Sequence, residues 1–159
     1  MASARKIRLL IADDHPVMRY TLRSVLKQYP EIEVVGEATN GEDAVLSVEE
    51  LQPEIVLMDI NMPKLDGIAA TRHIKGSYSR IAVLGLSVDG EGHAVGDMLR
   101  AGAVAVVAKE RAIEDLYDAI QRAITSPFDS PARAVSFLEG DLRESLREPK
   151  APVESSSAM

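Results

Sequence analysis

The chain has 159 residues, is 46% hydrophobic and carries a formal net charge of −7, which fits one domain with a sizeable core and a short tail and argues against non-specific binding to nucleic acid or anionic membranes. With no Cys there is neither a disulfide frame nor a thiolate metal site, and His15, His73 and His93 lack ligand-like spacing. No apolar run approaches the ~20 residues of a membrane span, and the basic start MASARKIR lacks the apolar stretch of a signal peptide, so the expectation is a soluble cytoplasmic protein.

The run IRLLIA at 7–12 is continuously apolar, as strands covered on both faces of a parallel sheet are. It runs straight into two adjacent carboxylates, Asp13 and Asp14, followed by His15 and Pro16. Two like charges at the end of an apolar strand repel, and desolvation adds to the cost, so a compensating cation is the first candidate. Pro16 marks a helix start, with Met18, Leu22, Val25, Leu26 and Tyr29 as its apolar stripe. IEVVGEA at 32–38 is more mixed and reads as an edge strand. Asn40 is an N-cap for a helix whose stripe is Ala44, Val45, Val48 and Leu51. IVLM at 55–58 leads to Asp59, and Asp66 caps a helix over 67–75. IAVLGL at 81–86 ends at Ser87; a Gly-rich stretch then enters a weaker helix over 92–102, stopped by Gly102. VAVVA at 104–108 ends at Lys109, and Ile113, Leu116, Tyr117, Ile120 and Ile124 give the cleanest helical period of the chain.

The pattern is β-α five times over residues 7–125. Right-handed crossovers place helices on both faces of such a sheet, and ligands bind beyond the carboxyl ends of the strands, where strand order reverses. In a 2-1-3-4-5 sheet the first and third strands are neighbours, so Asp13, Asp14 and Asp59 converge. Oxygen-only, mutually repelling ligands suit Mg²⁺, which keeps several waters and binds a phosphate. Ser87 and Lys109 end the fourth and fifth strands, and a hydroxyl and an ammonium there suit a phosphoryl group. Taken singly, each residue has a plainer role. Asp-Asp can cap a helix, Asp59 can start a turn, Ser87 can bond local backbone, and Lys109 can be a solvated surface lysine. The functional reading rests on all five falling at one sheet edge. His15 reads as a structural or surface residue, not a catalytic one.

These five positions, together with LMDINMPKLDG, ADDHPVMR and RAGAVAVVAKE, resemble the receiver domain of two-component response regulators over roughly residues 6–125, and within it the NarL/FixJ class. The resemblance implies an α/β, flavodoxin-like (βα)5 doubly wound parallel sheet. It implies that Asp59 is the nucleophile that takes a phosphoryl group from a sensor histidine kinase or a phosphotransfer protein. Asp14 and Asp59 would ligate Mg²⁺, with Asp13 helping directly or through water and the Asn61 main-chain carbonyl as a further ligand. Lys109 would pair with the phosphoryl oxygens. Ser87 would hydrogen-bond the phosphoryl group and report its arrival to helix four, strand five and helix five, the face through which a homodimer would strengthen on activation. Such a switch phosphorylates and dephosphorylates itself but turns over no metabolite, so it is not an enzyme in the usual sense.

Two features depart from the family. Val106 stands where an aromatic residue usually follows the Ser or Thr on activation. After residue 125 no helix-turn-helix follows, so the division is a receiver at 1–125 and a linker-like helix with a tail at 126–159. In that second part SPARAVSFLE resembles the linker of NarL/FixJ proteins, Val135, Leu138, Leu142 and Leu146 have near-helical spacing, and APVESSSAM reads as disordered. A truncated regulator and a stand-alone receiver both stay open, and neither would bind nucleic acid or membrane through this chain. Two alternatives are disfavoured. A Mg²⁺-dependent aspartyl phosphohydrolase usually has an acid two residues after its nucleophile, where this chain has Asn61. A degenerate receiver acting only as a binding module does not need the intact set of five.

Overall fold

The apolar runs become the five strands of a parallel sheet in a computed structural model that describes residues 5–88 and 92–125. The strands are β1 (Ile7–Ala12), β2 (Ile32–Ala38), β3 (Ile55–Asp59), β4 (Ala82–Ser87) and β5 (Ala105–Ala108), in the order β2-β1-β3-β4-β5. Helices α1 (Pro16–Leu26), α2 (Gly41–Leu51), α3 (Gly67–Ser77), α4 (Gly92–Ala101) and α5 (Ala112–Thr125) alternate with them. Each strand lies within one residue of its expected bounds, and β2 is an edge as expected. No helix among the described residues is long and apolar enough to cross a membrane. The helix and tail expected over 126–159, and part of the Gly-rich stretch before α4 (89–91), lie outside the described residues.

Strand residues alternate between two cores, which is why the runs read as continuously apolar. Leu9, Ile11, Leu57, Leu84 and Leu86 pack on one face, with Leu22 and Leu26 of α1 and Leu116 and Ile120 of α5. Leu10, Ala12, Val56, Met58 and Val83 pack on the other, with Val48 of α2, Ile74 of α3 and Met98 of α4. Every β3 residue is buried, Asp59 included. The helix starts follow local chemistry. Pro16 occupies the first turn of α1. The Asn40 and Asp66 side chains accept the Asp43 and Ala69 N–H groups at 2.8 Å, capping α2 and α3. Gly102, at φ +120°, ends α4 in a conformation that L side chains rarely adopt.

One expectation needs correction. Ile113 does not belong to the buried stripe of α5: it is 63% exposed. The buried face is Ala112, Leu116, Ala119, Ile120 and Ala123, with Ile124 only partly covered. Three alanines bring α5 close to the sheet, and a stripe drawn through the largest apolar residues is rotated away from that contact.

The loop from β3 to α3 folds back on the strand end. The Gly67 N–H donates to the Ile60 carbonyl at 2.8 Å, and a Cβ on Gly67 would lie 1.9 Å from the Asp59 carbonyl oxygen. Gly76, in the same helix, has nothing within 4 Å of such a Cβ. Helix propensity alone favours Ala over Gly by ~1 kcal/mol at both positions. Gly76→Ala is expected to raise stability by up to that amount, whereas Gly67→Ala is expected to lower it by roughly 1–3 kcal/mol, because backbone cannot yield as a side chain can. Urea unfolding midpoints of the two variants check the opposite signs.

Candidate functional site

Strand register gathers the charged residues. Ala12 lies opposite Met58, and Asp59 opposite Leu86, so Asp13, Asp59 and Ser87 come at one edge of three adjacent strands. Ser87 pairs in register with Ala108, the residue before Lys109. The Asp13 backbone N–H donates to the Ala38 carbonyl at 3.0 Å, extending the β1–β2 ladder by one bond and holding the carboxylate at the strand end.

Asp13 is fully buried. Its Oδ1 accepts the His15 backbone N–H at 2.9 Å and lies 3.1 Å from His15 Nδ1; its Oδ2 lies 2.8 Å from Lys109 Nζ. Asp59, 3% exposed, places Oδ1 3.2 Å from the same Nζ and accepts the Asn61 backbone N–H at 3.3 Å. Asp14 is more open, with Oδ1 3.1 Å from His15 Nδ1. One lysine thus pairs with two carboxylates, and a third, Asp14, stands beside them. Asp13 Oδ2 meets Lys109 Nζ and Asp14 Oδ1 meets His15 Nδ1, whereas Asp59 Oδ2 is buried and accepts no hydrogen bond. Buried carboxylate oxygens without donors are costly, and ligand atoms from Asp13, Asp14, His15 and Asp59 lie within 4.8 Å of one another. Hard, anionic oxygens converging in this way fit a hard divalent cation.

The electrostatics follow from the crowding. Burial, then the charge of Asp13, pushes the Asp59 pKa up from 3.8 to about 7, although Lys109 and the Asn61 N–H favour the carboxylate. Burial alone would lower the Lys109 pKa, but hydrogen bonding to Asp13 and the charges of both aspartates outweigh it and raise the value.

Of the residues expected at the site, Asp13, Asp14, Asp59 and Lys109 are in one cluster, with Lys109 bound to the aspartates themselves in this state. Ser87 is buried at the end of β4. Asn61 stands in the β3–α3 loop, its N–H on Asp59. Val106 is fully buried, and its Cγ2 and Met98 Cγ each lie 3.1 Å from where a Gly85 Cβ would be. Two further residues stand beside the cluster. His15, which the sequence reads as structural or surface, is exposed and places Nδ1 3.1 Å from Asp13 Oδ1 and from Asp14 Oδ1. Arg19 donates from Nη1 to the Asp13 carbonyl at 2.8 Å and from Nε to Glu37 at 2.9 Å, tying the β1–α1 turn to β2. Its place one helical turn after His15 is the only sequence signal for that role.

The profile of the response regulator receiver domain matches residues 9–121. The chain belongs to this family. Among its relatives, the transcriptional regulatory protein DegU of Brevibacillus brevis is 39% identical over 116 residues, covering 73% of this chain and 49% of DegU. A protein-glutamate methylesterase/protein-glutamine glutaminase of Methanospirillum hungatei is 42% identical over 111 residues, covering 69% of this chain and 32% of that enzyme. The signal receiver domain of NarL from Mycobacterium tuberculosis superposes with a TM-score of 0.72 at 27% identity, covering 77% of this chain and 99% of that domain. This chain therefore spans about half the length of DegU, and the shared part is the receiver.

The raised Asp59 pKa has a definite sign in the stability of this receiver. Between its ordinary value of 3.8 and about 7, the folded state holds more protons than the unfolded chain, so stability falls as pH rises through that window and levels above it. Asp59→Asn is expected to flatten that fall. Above pH ~7 the variant should exceed wild type by at most about 4 kcal/mol, the full shift at ~1.4 kcal/mol per pH unit. Chemical denaturation from pH 4 to 8 in chelator checks this; a gap that does not widen with pH contradicts it.

Proposed function

We propose that the domain is a phosphorylation-controlled switch whose acceptor is Asp59. The observation that carries this is the Asp59 Oδ2: buried, without a hydrogen-bond donor, and flanked by two carboxylates and a lysine at the carboxyl end of β3. An oxygen in that state is a nucleophile held without a competing partner. Asp59 Oδ2 attacks the phosphorus of a phosphohistidine on a sensor kinase or phosphotransfer protein; the P–O bond forms as the P–N bond breaks, and the departing imidazole takes a proton. The product is an acyl phosphate on Asp59.

Asp13 and Asp14 would hold Mg²⁺ together with Asp59, and the Asn61 carbonyl would be a further ligand. When bound, the cation neutralises charge on the acidic cluster and on the transferring phosphoryl oxygens. Lys109 loses half of its resting partnership when Asp59 is esterified, and its ammonium is then available to the phosphoryl oxygens. Ser87, next along the edge, would donate to the same group. Both residues lead into β5, α4 and α5, the proposed output face, where the compact Val106 leaves the coupling to Met98 and the α4 backbone. The chain turns over no substrate other than its own aspartyl phosphate. Residues 126–159 would act as a linker-like segment, and a second copy of the chain is a proposed partner on activation.

The test is incubation with a small phosphodonor and Mg²⁺ followed by intact mass. Wild type is expected to gain one base-labile phosphoryl group, and Asp59→Asn none, while the variant's circular dichroism stays that of wild type. Labelling of the folded variant to the wild-type level assigns the acceptor elsewhere.

A further inference from the structure

A glycine inside a buried strand gives up a side chain that would pack, and it often marks a close approach by another element. Gly85 stands in this way between Leu84 and Leu86 of β4. The space it leaves is taken by a helix. A Cβ on Gly85 would lie 3.1 Å from Met98 Cγ, 3.3 Å from Met98 Cε and 3.1 Å from Val106 Cγ2, so the Met98 side chain of α4 is seated on the glycine. Met98 and Val106 are fully buried. Thr71 of α3, also fully buried, donates its hydroxyl to Met98 Sδ at 3.6 Å, and a thioether sulfur is a weak acceptor. Side chains alternate along a strand, so Gly85 shares its face with Val83, which packs in the same core as Met98, and with Ser87 at the strand end.

We propose that Met98 is the conformational relay of this receiver: seated on Gly85 and tethered to Thr71, it couples the end of β4 to α4. The proposal rests on the reading of Asp59 as the phosphoryl acceptor and of Ser87 as the residue that meets the phosphoryl group. When Ser87 turns to the acyl phosphate, the segment of β4 that carries it shifts against α4. A close-packed core answers such a shift by moving between discrete arrangements, not by deforming smoothly. Val106 and Thr71 are β-branched and stiff at χ1. Methionine is unbranched, with three rotatable bonds, and repacks readily. Met98 is therefore the member of this contact that changes rotamer, and its weak tether to Thr71 yields as it does. The bulk that an aromatic at 106 would supply comes here from α4, so the helix itself carries the adaptable side chain.

The test adds Mg²⁺ and beryllofluoride, a mimic of the phosphoryl group, to the full chain labelled with ¹³C-methyl methionine, and follows the Met98 methyl and the amides of α4. Met98→Leu identifies the methyl signal by its loss. Gly85→Ala fills the seat, and Thr71→Val removes the tether. Urea unfolding and the phosphorylation yield by intact mass are measured for each variant, which separates lost coupling from a lost fold or a lost acceptor. In wild type the Met98 methyl is expected to shift when the mimic is added. In Met98→Leu and Gly85→Ala the amide response of residues 92–101 is expected to fall at least about twofold, with the wild-type phosphorylation yield. Thr71→Val is expected to act in the opposite sense, moving the α4 signals of the free protein part-way towards their beryllofluoride positions. Should Gly85→Ala not fold, the other two variants decide. A Met98 methyl that stays still while α4 responds, or a Met98→Leu that responds as wild type does, overturns the relay and leaves the phosphoryl switch standing. Loss of phosphorylation in folded Met98→Leu overturns it too, since Met98 then acts on the site and not beyond it. If wild type takes up neither a phosphoryl group nor beryllofluoride, the acceptor reading fails and the relay with it.

Discussion

Asp13 and Asp59, both almost completely out of water, share one lysine at the edge of a sheet, with Asp14 beside them. That imbalance is the constraint on which the rest depends. One ammonium compensates two buried carboxylates only in part, and the cost falls on Asp59, whose pKa is raised to about 7 by burial and by the charge of Asp13. The site is consequently unfinished in a chemical sense: it holds a buried Asp59 oxygen with no donor and a lysine whose attachments a new anion would redistribute. A bound cation would relieve this deficit, and would be needed all the more once a phosphoryl group adds further negative charge.

The scaffold exists to keep that deficit in place. The register of β1, β3 and β4 sets the aspartates on adjacent strands, and neither can retreat, because both strands are buried on both faces. Gly67 lets the β3–α3 loop close directly on the Asp59 carbonyl. Arg19 holds the Asp13 backbone from the other side. On the far side of the molecule, Tyr29 and Tyr117 stack at 4.0 Å between ring centroids, and the Tyr117 hydroxyl donates to Glu31, linking α5 to the segment that enters β2. Any shift of α5 in response to the site has to act against that contact.

Much of this was legible in the sequence. Continuous apolar runs identify strands covered on both faces, and each run ends at a polar residue on the carboxyl edge of the sheet. Pro16, Asn40, Asp66 and Gly102 punctuate the helices as their local chemistry requires. Ile113 was not legible, since hydropathy weights isoleucine above the alanines that face the sheet. His15 was not either: its orientation depends on an extended N-cap backbone and on a neighbour two residues back, which periodicity does not encode. Lys109 was placed correctly at the edge, but its resting bond to Asp13 follows from three-dimensional distance alone.

The central claim is that burial and the neighbouring aspartate leave Asp59 short of compensating charge until a cation arrives. The direct measurement is an NMR titration of the Asp59 side-chain carboxyl carbon, with and without saturating Mg²⁺. The account predicts a midpoint near 7 in chelator and a fall of at least ~2 units when the cation is present. An Asp59 that titrates near 3.8, its ordinary value, and does so equally in both conditions would contradict it.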